Sequence, residues 1–316
     1  MSDAATSPAA DELTTTRVAV VIVTYNSAAV LPACLDALTA VTGVTLSAVV
    51  VADNASRDES LAVARAAAFA LPVVPVAVGR NAGYAAAVNA GLAALDPASY
   101  DAVFVLNPDC SVSPEALAVL AAALRRPGCG ITAPLMLNAD GSLQPSLRRA
   151  PSVRRALGEA LLGRRAERYP AGSELVTDPA DYREPHAVSW ATGAALLISA
   201  DAAREVGPWE ESFLLFSEET EYCLRAADHG YTTWFEPTAV VTHIGGPSGK
   251  DPFLSKLIVW NRVRLFRSRH GALRSGAYYL ATLLGQSMRA LRGRPEARAA
   301  TEALLFPSRR VTSLAE

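Results

Sequence analysis

Four continuous apolar runs, each ending on polar residues, constrain this chain more than any other feature. Residues 18–23 (VAVVIV), 48–52 (AVVVA), 73–78 (VVPVAV) and 102–106 (AVFVL) carry no charged or hydrogen-bonding side chain. Strands with no polar face are covered on both sides, as in a parallel sheet between helices. The segments between them, residues 29–38, 59–69 and 85–95, have helical spacing, so the pattern predicts an α/β fold with a mostly parallel sheet. Open sheets of this kind bind ligands beyond the carboxyl ends of their strands. The polar residues collect there: Thr24, Tyr25 and Asn26 after the first run, Asp53 and Asn54 after the second, and Asn107, Pro108 and Asp109 after the fourth.

Beyond Pro114 the pattern predicts a helix to about residue 125 and strands at 131–135, 194–199 and 240–242. A helix is expected over 218–229. Residues 138–183 lose periodicity and are rich in Arg, Pro and Gly, which reads as a mobile insertion. Residues 1–16 have neither a basic start nor an apolar run and are expected to be a disordered arm rather than a signal or anchor. The apolar stretch 276–288 is too short and too interrupted to span a bilayer, so no transmembrane helix is expected. The four cysteines, Cys34, Cys110, Cys129 and Cys223, have no CxxC spacing and read as reduced, buried thiols of a cytoplasmic protein.

With 51% hydrophobic and 19% charged residues in 316, a packed core is certain and disordered or fibrous classes are excluded. The net charge of −2 hides an asymmetry: residues 250–316 hold 13 Lys and Arg against 4 acidic residues, which leaves the remainder acidic. The division expected is 1–16 arm, 17–246 catalytic domain including the 138–183 insertion, and 247–316 basic helical extension. The turn after the first strand lacks GxGxxG, and no GxxxxGK[ST] occurs, so dinucleotide-binding and P-loop classes fail.

The stretches VIVTYNS, VVVADNASRDES, GRNAGYAAAVNAG and VFVLNPDC, followed by WATGAALLISADAAREVGPW, FLLFSEETEYCLRAADHGY and VVTHIGGPS, resemble in order the inverting glycosyltransferases of family 2. The resemblance covers residues 17–246 and implies the GT-A fold, a Rossmann-like, mostly parallel sheet flanked by helices. It implies a nucleotide-sugar site at Thr24, Tyr25, Asn26, Asp53, Asn81, Gly83, Tyr84, Asn107 and Asp109. The alternative for Asp53 is an Asx turn or N-cap, and for Gly83 a turn needing positive φ. Asn107-Pro108-Asp109 replaces the first carboxylate of the family's DxD motif, so the resemblance implies Mg²⁺ or Mn²⁺ on Asp109, with His243 as second ligand.

By the same resemblance Glu219 is the catalytic base, with Glu218 and Glu221 still open. Helix capping accounts for some of these acids, and Glu221 with Arg225 forms an i,i+4 pair. Trp190, Thr192 and Trp209 border the acceptor side, core packing being the alternative for the tryptophans. ADGSLQPSLRRAPS and GPSGKDP resemble bacterial enzymes that use dTDP-L-rhamnose, which implies a rhamnosyltransferase acting on a polyprenyl-diphosphate-linked or polysaccharide cell-envelope acceptor. A UDP-sugar galactofuranosyl- or hexosyltransferase is the alternative reading, and an inactive carbohydrate-binding member is the alternative of a different class.

The basic residues Lys256, Arg262, Arg264, Arg267, Arg269, Arg274, Arg289, Arg292 and Arg294 lie among apolar ones, which suits an anionic membrane surface. A peripheral position on the inner face of the cell membrane is therefore expected. Stacking aromatics between these cations are few, so nucleic acid is not an expected partner. A homodimer stays open.

Overall fold

The computed structural model describes residues 15–245 and 251–314. Most of the expected N-terminal arm and the centre of GPSGKDP lie outside the described residues. The chain begins β1 (Arg17–Thr24), α1 (Leu31–Thr39), β2 (Thr45–Asp53), α2 (Ser60–Ala67), β3 (Val73–Ala77), α3 (Tyr84–Ala93) and β4 (Ala102–Leu106). These strands lie side by side in the order β3-β2-β1-β4, all parallel. All five residues of β4 are buried, which the uninterrupted AVFVL run requires. Pro75 cannot donate to a ladder, and it sits on β3, the outermost strand. After β1 the chain builds outward through β2 and β3 and then returns to β1's other side as β4. A crevice therefore opens at the carboxyl ends of β1 and β4.

There follow β5 (Cys110–Val112), α4 (Ala116–Leu124), β6 (Cys129–Leu137), β7 (Leu147–Arg148), α5 (Val153–Leu162), β8 (His186–Val188), β9 (Trp190–Ala191), β10 (Ala195–Ser199), α6 (Ala200–Val206), α7 (Glu218–Asp228) and β11 (Thr232–His243). The sheet continues β4-β10-β6-β11-β5, with β8 on β11, to nine strands among the described residues. β10 runs antiparallel to both its neighbours, so the sheet is mixed, though mostly parallel. β11 is far longer than the expected 240–242: its pairing with β6 jumps from Glu236 opposite Pro134 to Val240 opposite Leu135, a bulge at Pro237 that splits the sequence pattern.

Residues 138–183, expected to lack regular structure, carry β7, α5 and two 3-10 turns, with the Ser152 hydroxyl capping α5 by accepting from the Arg155 amide. Three helices close the chain: α8 (Pro252–Arg269), α9 (Ala272–Leu291) and α10 (Pro295–Leu305). They share a core with α5 built on Ala156, Val259, Val263, Phe266, Tyr278 and Leu304. Gly285 of α9 lies so close to α5 that an added Cβ would stand 3.0 Å from the Ala160 Cα.

The basic extension is not a free arm. Arg262 bonds Glu159 at 3.0 Å and Glu174 at 2.7 Å, Arg269 bonds Asp228 at 2.7 Å, and Arg264 donates to Ser212. Several of the cations that looked available in sequence thus neutralise the acidic body. The four cysteines are free and buried. Among the described residues, no helix is long and apolar enough to cross a membrane.

Candidate active site

β5 and β11 pair antiparallel with Cys110 opposite His243, a register that brings Asp109, just past the end of β4, against the end of β11. The Asp109 Oδ1 lies 3.3 Å from His243 Nε2, and its Oδ2 accepts from the Gly245 amide at 3.1 Å. Burial pushes the Asp109 carboxyl up, but the His243 hydrogen bond, its charge and backbone amides outweigh that and hold it below the usual range. Gln144 orients the imidazole. Its amide nitrogen donates to Asn138 at 2.9 Å, which turns its oxygen toward His243 Nδ1 at 2.7 Å. Nδ1 therefore carries a proton, and a cation seated between Nε2 and Asp109 would take the place of a second imidazole proton there.

This donor set, one carboxylate oxygen and one imidazole nitrogen, fits Mg²⁺ or Mn²⁺. Cys110 lies in the same group. Its thiol donates to the Ala194 carbonyl at 3.5 Å, and burial and the Asp109 charge raise it well above the ordinary value, which disfavours the thiolate.

Beside this corner a cavity of about 460 Å³ is lined by Tyr25, Asn54, Asn81, Tyr84 and Asn107, four of which were expected to contact a nucleotide sugar. The Asn107 amide lies 3.4 Å from His243 Nε2, so cavity and metal corner adjoin.

Other expected contacts serve the scaffold. Asp53 is 3% exposed; it accepts from Thr24 Oγ1 at 2.8 Å, Ser56 Oγ at 2.5 Å and the Ser56 amide at 2.9 Å. Asp53 thus closes the turn after β2 and ties Thr24 to it. Asn26, at φ 53°, accepts from the Arg57 amide and shapes the same turn. Gly83, at φ 98°, is there for space: any Cβ would collide with the Leu214 carbonyl, to which the Tyr84 amide donates.

The acidic cluster follows an unusual turn. Leu214, Phe216 and Ser217 all adopt positive φ, at 62°, 67° and 77°, immediately before α7. Such conformations persist only where the surroundings enforce them. Here the buried Asn261 of α8 donates through Nδ2 to the carbonyls of Phe213, Leu215 and Phe216 at 2.6 to 3.0 Å.

Glu218 and Glu219 then enter α7, each with one carboxylate oxygen that has no hydrogen-bond partner. Burial, and for Glu218 the charge of Glu219, raise both carboxyls above their ordinary value. Glu221 is different. Arg225 grips it at 2.8 and 3.0 Å, so its carboxylate is held in an ion pair.

Glu219 opens on a second cavity, of about 290 Å³, whose wall includes Arg148, Trp190, Phe216 and Arg262. Trp209 does not line it: it is 2% exposed and stacked on Tyr222 at 4.6 Å, in the core. Thr192 does not line the cavity, and its amide is bound to the Ser146 carbonyl. The two cavities adjoin through Tyr84, which lines the first and donates to the Gly193 carbonyl at 2.9 Å. An added Cβ on Gly193 would lie 3.1 Å from the Glu219 Cβ. Gln144, Gly193 and Asn261 escaped the sequence reading, because what each does depends on partners far away in the chain.

Comparison with known proteins follows the same lines. The model of glycosyl transferase family 2 matches residues 19–168. An N-acetylglucosaminyl-diphospho-decaprenol L-rhamnosyltransferase of Mycobacterium tuberculosis is 33% identical over 244 residues, 74% of this chain and 78% of that protein. A low-salt glycan biosynthesis hexosyltransferase of Haloferax volcanii is 30% identical over 151 residues, 47% of this chain and 44% of its own length. Among solved structures, a mannosyltransferase from Pyrobaculum calidifontis in complex with GDP-Man and Mn²⁺ superposes with TM-score 0.57 at 18% identity, covering 93% of this chain and 82% of that one. Glucosyl-3-phosphoglycerate synthase from Mycobacterium tuberculosis, with Mn²⁺ and UDP, gives 0.51 at 15% identity, over 78% of each chain.

Proposed function

This chain belongs to glycosyl transferase family 2 and is a glycosyltransferase with the GT-A fold, and from that premise we propose that it transfers L-rhamnose, with inversion, from dTDP-L-rhamnose to a polyprenyl-diphosphate-linked acceptor. The observation that carries the reading is the pairing of two adjoining cavities. One borders Asp109 and His243; the other borders Glu219, whose carboxyl is only partly hydrogen-bonded. Rhamnose and the lipid-linked acceptor are drawn from the mycobacterial relative.

Each group has a role its surroundings support. Tyr25, Asn81, Tyr84 and Asn107 hold the nucleotide sugar in the larger cavity. Asp109 and His243 would hold Mg²⁺ or Mn²⁺, which when bound neutralises charge on the departing nucleoside diphosphate. Glu219 takes the proton from an acceptor hydroxyl as that oxygen attacks the anomeric carbon from the face opposite the leaving group. Burial that raises the Glu219 carboxyl makes it a stronger base, and Trp190 borders the place where an acceptor sugar would rest. An intact acid, an oriented imidazole and an incompletely bonded base speak against an inactive binding protein.

A position on the inner face of the cell membrane is part of the proposal. Leu157 and Leu161 of α5 and Leu273, Leu280, Leu284 and Leu291 of α9 are exposed, Leu273 and Leu291 at 88%. Arg292 and Arg294 follow on the same element's end. Apolar and basic groups on two packed helices suit an anionic lipid surface.

The test is a transfer assay with an N-acetylglucosaminyl-diphospho-polyprenol acceptor and separate dTDP-rhamnose, UDP-galactofuranose and GDP-mannose donors. Product from dTDP-rhamnose alone is expected. Product only from UDP-galactofuranose would replace the donor with the alternative sugar.

A further inference from the structure

Two cations border the cavity beside Glu219, and the protein treats them differently. Arg262 is matched by Glu159 and Glu174, and Glu174 also accepts from the Tyr278 hydroxyl at 3.1 Å. Arg148 has no such match. Its Nη1 donates to the carbonyls of Pro145 and Leu147, each at 3.0 Å. Among the described residues no carboxylate is in ion-pair contact with it, and its Nε and Nη2 have no hydrogen-bond acceptor. The guanidinium lies over the Trp190 ring, 5.6 Å from its centre, and the indole is itself fixed by donating to the Arg149 carbonyl. Burial pulls the Arg148 guanidinium below its ordinary value, partly countered by nearby acids that include Glu219 and Glu174.

Arg148 is half-buried and lines the cavity without a counter-anion, and its free N–H groups match the oxygens of a phosphate. Besides Glu159 and Glu174, both neutralised by Arg262, and the hydroxyl residues Ser217 and Thr220, the remaining walls are apolar: Pro151, Leu175, Phe216, Ile258 and Leu265. A bare inorganic anion has no use for such walls. A phosphate carrying a hydrocarbon chain does.

We propose that Arg148 binds a phosphate of the acceptor, so that the cavity seats a lipid phosphate or diphosphate and turns the attached sugar toward Glu219. This deepens the acceptor half of the function above and rests on that reading for the sugar alone. Arg148 is then a substrate-binding residue, and the charge it lacks in the protein arrives with the acceptor.

The probe is farnesyl diphosphate, which has the diphosphate and a prenyl chain but no sugar, titrated calorimetrically into the full chain. Inorganic pyrophosphate and farnesol are parallel arms. EDTA in the buffer keeps a diphosphate from binding through metal at Asp109 and His243. Farnesyl diphosphate is expected to bind the wild type and to bind Arg148→Gln about tenfold or more weakly, with farnesol binding unchanged. Arg148→Lys keeps the charge but not the fork. It is expected to fall between the two, and it serves as the deciding variant should Arg148→Gln not fold.

Failure of the wild type to bind farnesyl diphosphate would overturn the proposal, as would equal affinity of wild type and variants. Equal affinity accompanied by a shifted pH profile of kcat would mean that Arg148 acts on Glu219 instead. Pyrophosphate binding as tightly as farnesyl diphosphate would overturn the lipid half. Because no transfer is involved, an Arg148-dependent affinity combined with no transfer from dTDP-rhamnose would remove the donor assignment and leave the phosphate site standing.

Discussion

Glu219 and Glu218 are adjacent, buried and raised, yet they are expected to answer substitution differently. Glu219→Gln keeps the shape and removes the base, so kcat should fall by about 10² or more while the nucleotide dissociation constant stays within about twofold. Equal turnover in wild type and variant would reject the role. The rate should also fall with acidity through a pKa above the ordinary glutamate value, since the base must be ionised to act.

Glu218 has a raised carboxyl and an oxygen without a partner. A carboxyl raised on folding costs nothing while protonated in both states, and costs stability once pH rises above the unfolded-state value of about 4.3. Glu218→Gln should therefore raise Tm more at about pH 8 than at about pH 5, read from melting curves. A gain that is independent of pH would contradict it. Gln144 is legible only in three dimensions. Gln144→Leu removes the acceptor that fixes the His243 tautomer and should weaken Mn²⁺ binding about 10- to 100-fold by direct metal titration.

At the scale of elements, the strained turn before α7 makes the sharpest prediction. Asn261→Leu removes a donor from the carbonyls of Leu215 and Phe216, while that of Phe213 keeps the Leu215 amide, at a cost of about 1–3 kcal/mol. Because that turn presents Glu218 and Glu219, kcat should drop about tenfold with nucleotide affinity retained. A variant that loses stability but keeps kcat would make the clamp purely structural.

Which elements could be read from sequence follows from how local their cause is. β1, β2 and β4 announce themselves through their apolar runs 18–23, 48–52 and 102–106, which are buried but for the half-buried Ala48. The antiparallel insertion of β10 between β4 and β6 leaves no local trace, since strand order is a long-range property. The first half of β11 hides behind its bulge at Pro237. Asp109 and His243 are legible as polar residues just beyond β4 and at the end of β11, whereas Arg148 belongs to a two-residue strand in an aperiodic stretch.

The whole molecule joins a nucleotide-sugar half to a helical half through ion pairs that draw α8 onto α5 and onto α7's end. The charge asymmetry visible in sequence is thus in part an internal complementarity, through Arg262 and Arg269. What remains exposed is the leucine-rich surface of α5 and α9. Leu161 and Leu280, 61% and 63% exposed, are expected to contribute little to folding, so Leu161→Ser with Leu280→Ser should leave Tm nearly unchanged. The same double variant should bind anionic liposomes about tenfold more weakly in sedimentation, since each leucine gives up part of its roughly 1.5–3 kcal/mol of burial. Unchanged sedimentation would assign that surface elsewhere.

The central claim is direct displacement at the anomeric carbon across two adjoining cavities. It is tested most directly by determining, by NMR, the anomeric configuration of the first glycosidic bond the enzyme forms from dTDP-L-rhamnose. The account predicts the configuration opposite to the donor's; a product of retained configuration would contradict it.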